Sequence, residues 1–245
     1  MIHIQNVHRT LAGKLLYQDL NLEIPDGEIT VILGKSGVGK SVLLKHILGL
    51  MLPDSGQIVI DKVTINELSE PERRQFRLRF GMVFQHSALF DSLTVGDNVG
   101  LALRKLTSQP EDQIRERVTE CLKAVELEDT IDMLPASLSG GMRKRIAFSR
   151  AIAMQPRYLL YDEPTTGLDP VNSELICNLI MEFCNKFKVT SIVVTHDVPA
   201  TLKMADQIAL LDERKIQGVY TPGEFQESNQ PLIQSFADYI SLANK

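Results

Sequence analysis

The sequence predicts an α/β fold with a mainly parallel core sheet, an N-terminal antiparallel β subdomain and an inserted α-helical subdomain. Three observations predict it. Short apolar runs rich in β-branched residues alternate with longer helical patterns, as expected of a parallel sheet covered by helices. The first sixty residues instead alternate apolar and polar positions. From about His86 to Arg150 helical periodicity prevails.

Ile2, Ile4, Leu20, Leu22 and Ile24 each have polar neighbours, and Pro25-Asp26-Gly27 closes the stretch with a turn signal. Ile29–Leu33, Ile58–Ile60, Met82–Phe84, Tyr158–Tyr161, Ser191–Thr195 and Gln207–Leu211 read as strands, their near-continuous apolar character suiting burial on both faces. Helices are predicted over Val95–Leu106, over Pro110–Val125 and from near Ser139. Glu111 and Asp112 fall in the first turn of the second, where the helix dipole favours them. The expected division is 1–85 and 155–245 as the core and 86–154 as the helical subdomain. The stretch Thr221–Lys245 carries Leu232, Ile233, Phe236, Tyr239 and Ile240 at helical spacing, for packing on its own core or on a partner subunit.

At 245 residues, 44% of them hydrophobic, the chain can bury a core without disulfides or metal. A net charge of -5 speaks against nucleic acid as the partner. Cys121, Cys177 and Cys184 form no C-x-x-C pair and read as small buried apolar residues. The N-terminus lacks the pattern of a signal peptide. The apolar stretch Val42–Leu52 is short and interrupted by Lys45 and His46, so a soluble chain is expected.

Gly34-Lys35-Ser36-Gly37-Val38-Gly39-Lys40-Ser41 fits G-x-x-x-x-G-K-[ST] between a predicted strand and a predicted helix. Its glycines let backbone N–H groups turn inward around phosphate oxygens, and the helix N-terminus adds a favourable field. Lys40 is expected to reach the β/γ-phosphates and the Ser41 hydroxyl to bind Mg²⁺. Tyr158-Leu159-Leu160-Tyr161 is an apolar strand that ends in Asp162-Glu163. Neighbours on a strand point to opposite faces, so Asp162 can hold Mg²⁺ while Glu163 polarises the water that attacks the γ-phosphorus. The runs Arg143-Lys144-Arg145 and Arg73, Arg74, Arg77, Arg79 read as solvated helix faces on an acidic protein.

Leu138-Ser139-Gly140-Gly141-Met142 resembles the LSGGQ signature of ABC ATPases. Phe84-Gln85 resembles their Q-loop, Gly167-Leu168-Asp169-Pro170 their D-loop and Thr195-His196-Asp197 their H-loop, in matching order along nearly the whole chain. Ser139 would cap a helix while Gly140 and Gly141 expose N–H groups at its positive end. The resemblance implies a single ABC ATPase domain over 1–245 with ATP and Mg²⁺ as ligands, hydrolysing ATP as a head-to-tail dimer with another copy. In it the signature faces ATP held by the other copy's phosphate loop. It also implies that His196 contacts the γ-phosphate, that Gln85 senses Mg²⁺ and the attacking water, and that Asp169 belongs to the nucleotide site. Two positions depart from the pattern. Met142 replaces the signature glutamine, and Leu11 stands near the position of the usual adenine-stacking aromatic.

Met142, together with Gln85 to Val95 and Thr195 to Pro199, resembles the ATPases of Mce/Mla lipid transport. That likeness implies a multi-pass membrane permease and an Mce-domain lipid-binding protein as partners, a small regulatory protein as a further candidate, and a peripheral place on the cytoplasmic side of the inner membrane. Ala88-Leu89-Phe90 suits a groove for a permease helix, or simple subdomain core. The alternatives are an ABC ATPase for another substrate and a soluble ABC ATPase. The latter is disfavoured by the single cassette and the lack of sustained heptads.

Overall fold

The computed structural model describes residues 1–236. Strands β1 (Ile2–Leu11) and β2 (Lys14–Ile24) form a hairpin closed by Ala12 and Gly13, with φ of 49° and 76°. Two residues of positive φ make the turn whose twist matches that of paired strands. β3 (Ile29–Leu33) leads into α1 (Lys40–Ile47). β4 (Ser55–Ile60), β5 (Val63–Thr64) and α2 (Glu70–Arg77) follow. α2 opens on a capping box in which Ser69 and Glu72 satisfy each other's backbone N–H groups. β6 (Phe80–Val83) precedes α3 (Val95–Leu106), α4 (Glu111–Lys123) and α5 (Gly140–Ile152). The chain then runs through β7 (Tyr158–Asp162), α6 (Pro170–Phe187), β8 (Thr190–Thr195), α7 (Val198–Met204), β9 (Gln207–Asp212), β10 (Lys215–Tyr220) and α8 (Pro222–Glu227).

Two sheets result. One is antiparallel, in the order β2-β1-β4-β5; the other runs β10-β9-β3-β8-β7-β6 and is parallel except where β10 meets β9. Ile58–Ile60 therefore leaves the parallel set in which its apolar run had placed it. It pairs with β1, Ile2 lying opposite both Ile24 and Ile60. Only Ile58 and Ile60 of this segment are buried, while Val59 is half-buried, the one-sided pattern of an antiparallel strand.

The parallel strands bury both faces. Leu159 and Tyr161 of β7 and Val193 of β8 join α3, α4, α5 and α6 in one core. Tyr158, Leu160, Ile192 and Val194 join the antiparallel sheet and α1 in another. Alternate residues thus serve two cores that share a sheet. Ile233 and Phe236 pack with Leu33, Val198 and Phe225 at the third, smaller core, so this part of the C-terminal stretch packs on its own chain; Tyr239 and Ile240 lie outside the described residues. All three cysteines are buried, and burial pushes each thiol up to about 11, so they stay protonated. No helix among the described residues is long and apolar enough to cross a membrane.

In the parallel ladder Leu33 lies opposite Thr195, and Asp162 opposite Val194. The C-terminal ends of β3, β7 and β8 therefore meet at one edge, where ligands of open parallel sheets collect.

Candidate nucleotide site

The loop after β3 is shaped by close backbone approach. A Cβ on Gly34 would meet the Leu211 carbonyl oxygen at 2.6 Å, so the chain passes only without a side chain. Gly39 has φ 115°, and its carbonyl accepts a 2.5 Å hydrogen bond from the buried Tyr17 hydroxyl. α1 starts immediately after it with no side-chain cap, which leaves its first N–H groups available to an anion. Lys40, 5% exposed, donates to the carbonyls of Gly34 at 2.7 Å and Lys35 at 3.1 Å. Its ammonium also lies 3.1 Å from Glu163 Oε1.

The carboxylate pair is fixed by different partners. Ser41 Oγ donates to Asp162 Oδ1 at 2.8 Å. Glu163 Oε2 accepts from Thr166 at 3.0 Å and Thr195 at 3.2 Å, and lies 2.9 Å from His196 Nδ1. Burial opposes the ionised form of both acids, but the outcomes diverge. It pushes the Asp162 carboxyl up, with the Ser41 hydrogen bond only partly offsetting it. For Glu163 burial is outweighed by the His196 hydrogen bond and the Lys40 charge, which hold the carboxyl below the usual carboxylate range. Glu163 is thus an ionised, buried base next to a cation and a histidine, arranged to accept a proton from a water.

A cleft of about 420 Å³ is lined by Ser36, Gly37, Gly39, Lys40 and Ser41, by Gln85, and by Glu163 and His196. Leu11, Ala12, Leu16 and Val42 supply an aliphatic wall. The hairpin turn at Ala12 and Gly13 brings Leu11 there, and among the described residues no aromatic side chain lines the cleft. Val38 lies in an adjoining cavity of about 570 Å³ that shares Lys14, Leu16 and Gly37 with the cleft.

Other candidate residues fall elsewhere. Ser139 caps α5, its Oγ accepting from Met142 N at 3.2 Å, and Ser139 and Gly140 are exposed. Gly141 is buried so close to α6 that a Cβ would meet Asn172 Oδ1 at 2.4 Å. Asp169 caps α6, accepting from Asn172 N at 3.0 Å. None of these four lines the cleft. Ala88 and Phe90 are exposed while Leu89 packs partly on the core, so the segment after Gln85 divides between groove and core.

The solvated reading of the basic runs needs correction at the buried Lys144 and holds for the exposed Arg143. Lys144 is 7% exposed and points its ammonium at the carbonyls of Pro164 (2.8 Å) and Thr166 (2.6 Å). Arg145 donates to the Val125 carbonyl and Arg143 to that of Leu138. Arg73 and Arg77 both pair with Glu70. Only Arg74 and Arg79 of the named residues in the upstream run are exposed. Nothing local in sequence marks the roles of Lys144, Arg150, Thr166 and Tyr17, all tied to loops of the cleft, because only the folded chain turns their polar groups inward.

A phosphate loop between strand and helix, with a carboxylate pair on a nearby strand end, defines a P-loop nucleoside triphosphatase. The sequence profile of the ABC transporter family matches residues 17–166. The chain is 38% identical over 236 residues to the intermembrane phospholipid transport system ATP-binding protein MlaF of Haemophilus influenzae, covering 96% of this chain and 89% of that one. It is 37% identical over 236 residues to the "Probable ribonucleotide transport ATP-binding protein mkl" of Mycobacterium leprae, covering 96% and 68%. Among solved structures, the dimeric MJ0796, a bacterial ABC transporter cassette, superposes with TM-score 0.83 at 33% identity, over 91% of this chain and 99% of that one. The same cassette in a post-hydrolysis state bound to ADP and Pi gives 0.80 at 31% identity, over 91% and 99%. The chain belongs to the ABC transporter family and is an ATPase of that class.

Proposed function

We propose that this ATPase drives lipid transport, with phospholipid as its first candidate cargo, on the cytoplasmic side of an inner membrane. In this reading it is peripheral, held by a multi-pass permease that works with an Mce-domain lipid-binding protein, and a small regulatory protein is a further candidate partner. The likeness to MlaF supports the cargo. The likeness to mkl favours a second reading, another transport substrate served by the same cassette.

The observation that carries the mechanism is the Glu163 carboxylate, held ionised within 3.1 Å of Lys40 and 2.9 Å of His196. The N–H groups from Gly34 to Ser41 hold the ATP phosphates, with Lys40 against the β- and γ-phosphates. Glu163 takes a proton from the attacking water, and His196 contacts the γ-phosphate. The hard oxygens of Ser41 and Asp162, 2.8 Å apart, suit Mg²⁺, with Gln85 on the same cleft. When bound, Mg²⁺ neutralises charge on the phosphate oxygens.

The exposed Ser139 and Gly140, which do not line the chain's own cleft, support a head-to-tail dimer in which each signature meets the other copy's ATP. Asp169 joins that interface. We assign 1–245 to one ABC ATPase domain, with 86–154 as its helical subdomain. Co-purification with the permease followed by lipid mass spectrometry tests the cargo: a phospholipid retained with the complex is the expected result, and a complex free of lipid that stimulates on another solute would overturn it.

A further inference from the structure

The loops that carry Gln85 and Glu163 share a costly backbone. Glu163 has φ 49°, Ser87 61° and Ala88 47°. All three lie in the left-handed region, none is Gly or Asn, and such residues persist only when their surroundings impose the geometry. In both loops a cation from α5 donates to carbonyls at or just after the left-handed residues, beside backbone bonds such as Glu163 N to the Val194 carbonyl and Ser87 N to that of Phe84. Lys144 Nζ donates to the Pro164 and Thr166 carbonyls at 2.8 and 2.6 Å and reaches that of Glu163 at 3.5 Å. Arg150 donates through Nη2 to the Ser87 carbonyl at 2.7 Å and through Nη1 to that of Ala88 at 2.5 Å. Among the described residues neither cation uses a carboxylate side chain as its hydrogen-bond partner; each is spent on backbone carbonyls.

Both donors stand on the helix that Ser139 caps. Six residues separate them, a rise of roughly 9 Å along a helix. One rigid element therefore touches the turn after Glu163, the turn after Gln85, and the exposed signature.

We propose that Lys144 and Arg150 are positioning residues that hold the Glu163 and Gln85 loops in their left-handed geometry. The orientation of the two cleft groups is then set from the signature helix. The proposal rests on the reading of Glu163 and Gln85 as the groups that meet the attacking water. It makes a displacement of α5 at its N-terminus a displacement of both loops.

The test uses the purified full-length chain as wild type, Lys144→Met, Arg150→Ala, Arg150→Lys, and Arg150→Ala combined with Ser87→Gly and Ala88→Gly. Steady-state kcat and KM for Mg·ATP, the Kd of a non-hydrolysable ATP analogue, and the melting temperature are measured on each. Lys144→Met and Arg150→Ala are expected to lose kcat by about tenfold or more while the analogue Kd moves by less than about threefold, because misplaced catalytic groups cost rate and the phosphate loop is untouched. Arg150→Lys falls between, having one point donor for two carbonyls. The glycine pair is expected to restore most of the kcat lost in Arg150→Ala, since glycine adopts left-handed geometry without support. Wild-type kcat in both single variants overturns the proposal. So does a loss that follows melting temperature alone and is untouched by the glycines. Should Lys144→Met fail to fold, the Arg150 series decides alone. Failure of the underlying reading is recognised separately: Glu163→Gln would then hydrolyse ATP at the wild-type rate whatever the α5 variants do.

Discussion

The phosphate loop and the signature are both helix N-termini suited to an anion, yet they are finished differently. Around α1 the chain brings its own lysine, hydroxyl, glutamate, glutamine and histidine into one cleft, with Asp162 hydrogen-bonded to that hydroxyl. Around α5 it supplies one serine cap and an exposed glycine, and neither lines the cleft. A dipole at a helix end is a general attractant, worth only a fraction of a kcal/mol to about 2 kcal/mol. What distinguishes the two ends is whether the same chain encloses the site.

Breaking the enclosed end has the largest expected effect. Lys40→Ala should abolish nucleotide binding measured by calorimetry, because that ammonium is held against the loop whose N–H groups are to receive the phosphates. Glu163→Gln should keep binding and lose turnover by roughly 10²- to 10⁴-fold, the usual worth of a general base; full steady-state ATPase activity would remove Glu163 from the mechanism. Breaking the open end should do less to the chain itself. Ser139→Ala is expected to retain ATP binding and to lower turnover by roughly tenfold, its contribution being a shared anion contact. An equal mixture of Lys40→Ala and Ser139→Ala chains should contain at most one working site per mixed dimer. Full hydrolysis by a monomer would contradict the division of labour between the two ends.

The smallest effect concerns pH. The Glu163 carboxyl is held below its ordinary 4.5, so its contacts contribute stability that is present above that value and lost as pH falls through the depressed one. Asp162 is shifted up, so its burial favours the protonated form and works the other way. The melting-temperature gap between wild type and Glu163→Gln should therefore be widest near neutrality and close in acid. A gap that grows on acidification would reverse the assigned sign.

The enclosed end was far more legible in sequence than its supports. Gly34, Gly39, Lys40 and Ser41 stand at fixed short spacing because one loop must wrap one phosphate group, and a short span of chain records that demand. Asp162 and Glu163 were readable because the apolar strand before them ends where a parallel sheet ends. The turn at Ala12 and Gly13 was not, since alanine carries no sign of the positive φ it adopts. β10 escaped notice because Lys215–Tyr220 mixes polar and apolar residues around Gly218, and pairs only along one edge. Lys144 was misread for a different reason. Its neighbours Arg143 and Arg145 make the run look hydrated, and only the folded turn from Glu163 to Thr166 supplies the carbonyls that draw it inside.

The hydrogen bond from Tyr17 to the Gly39 carbonyl has a mechanical meaning. Tyr17 belongs to β2, the strand that turns back from the hairpin bearing Leu11 and Ala12, and Gly39 is the hinge point from which α1 departs. The aliphatic wall and the phosphate cradle are thereby joined by a direct hydrogen bond. Removing that bond, as in Tyr17→Phe, should therefore weaken the chain's hold on the triphosphate and on the base together, as read by calorimetry with ATP.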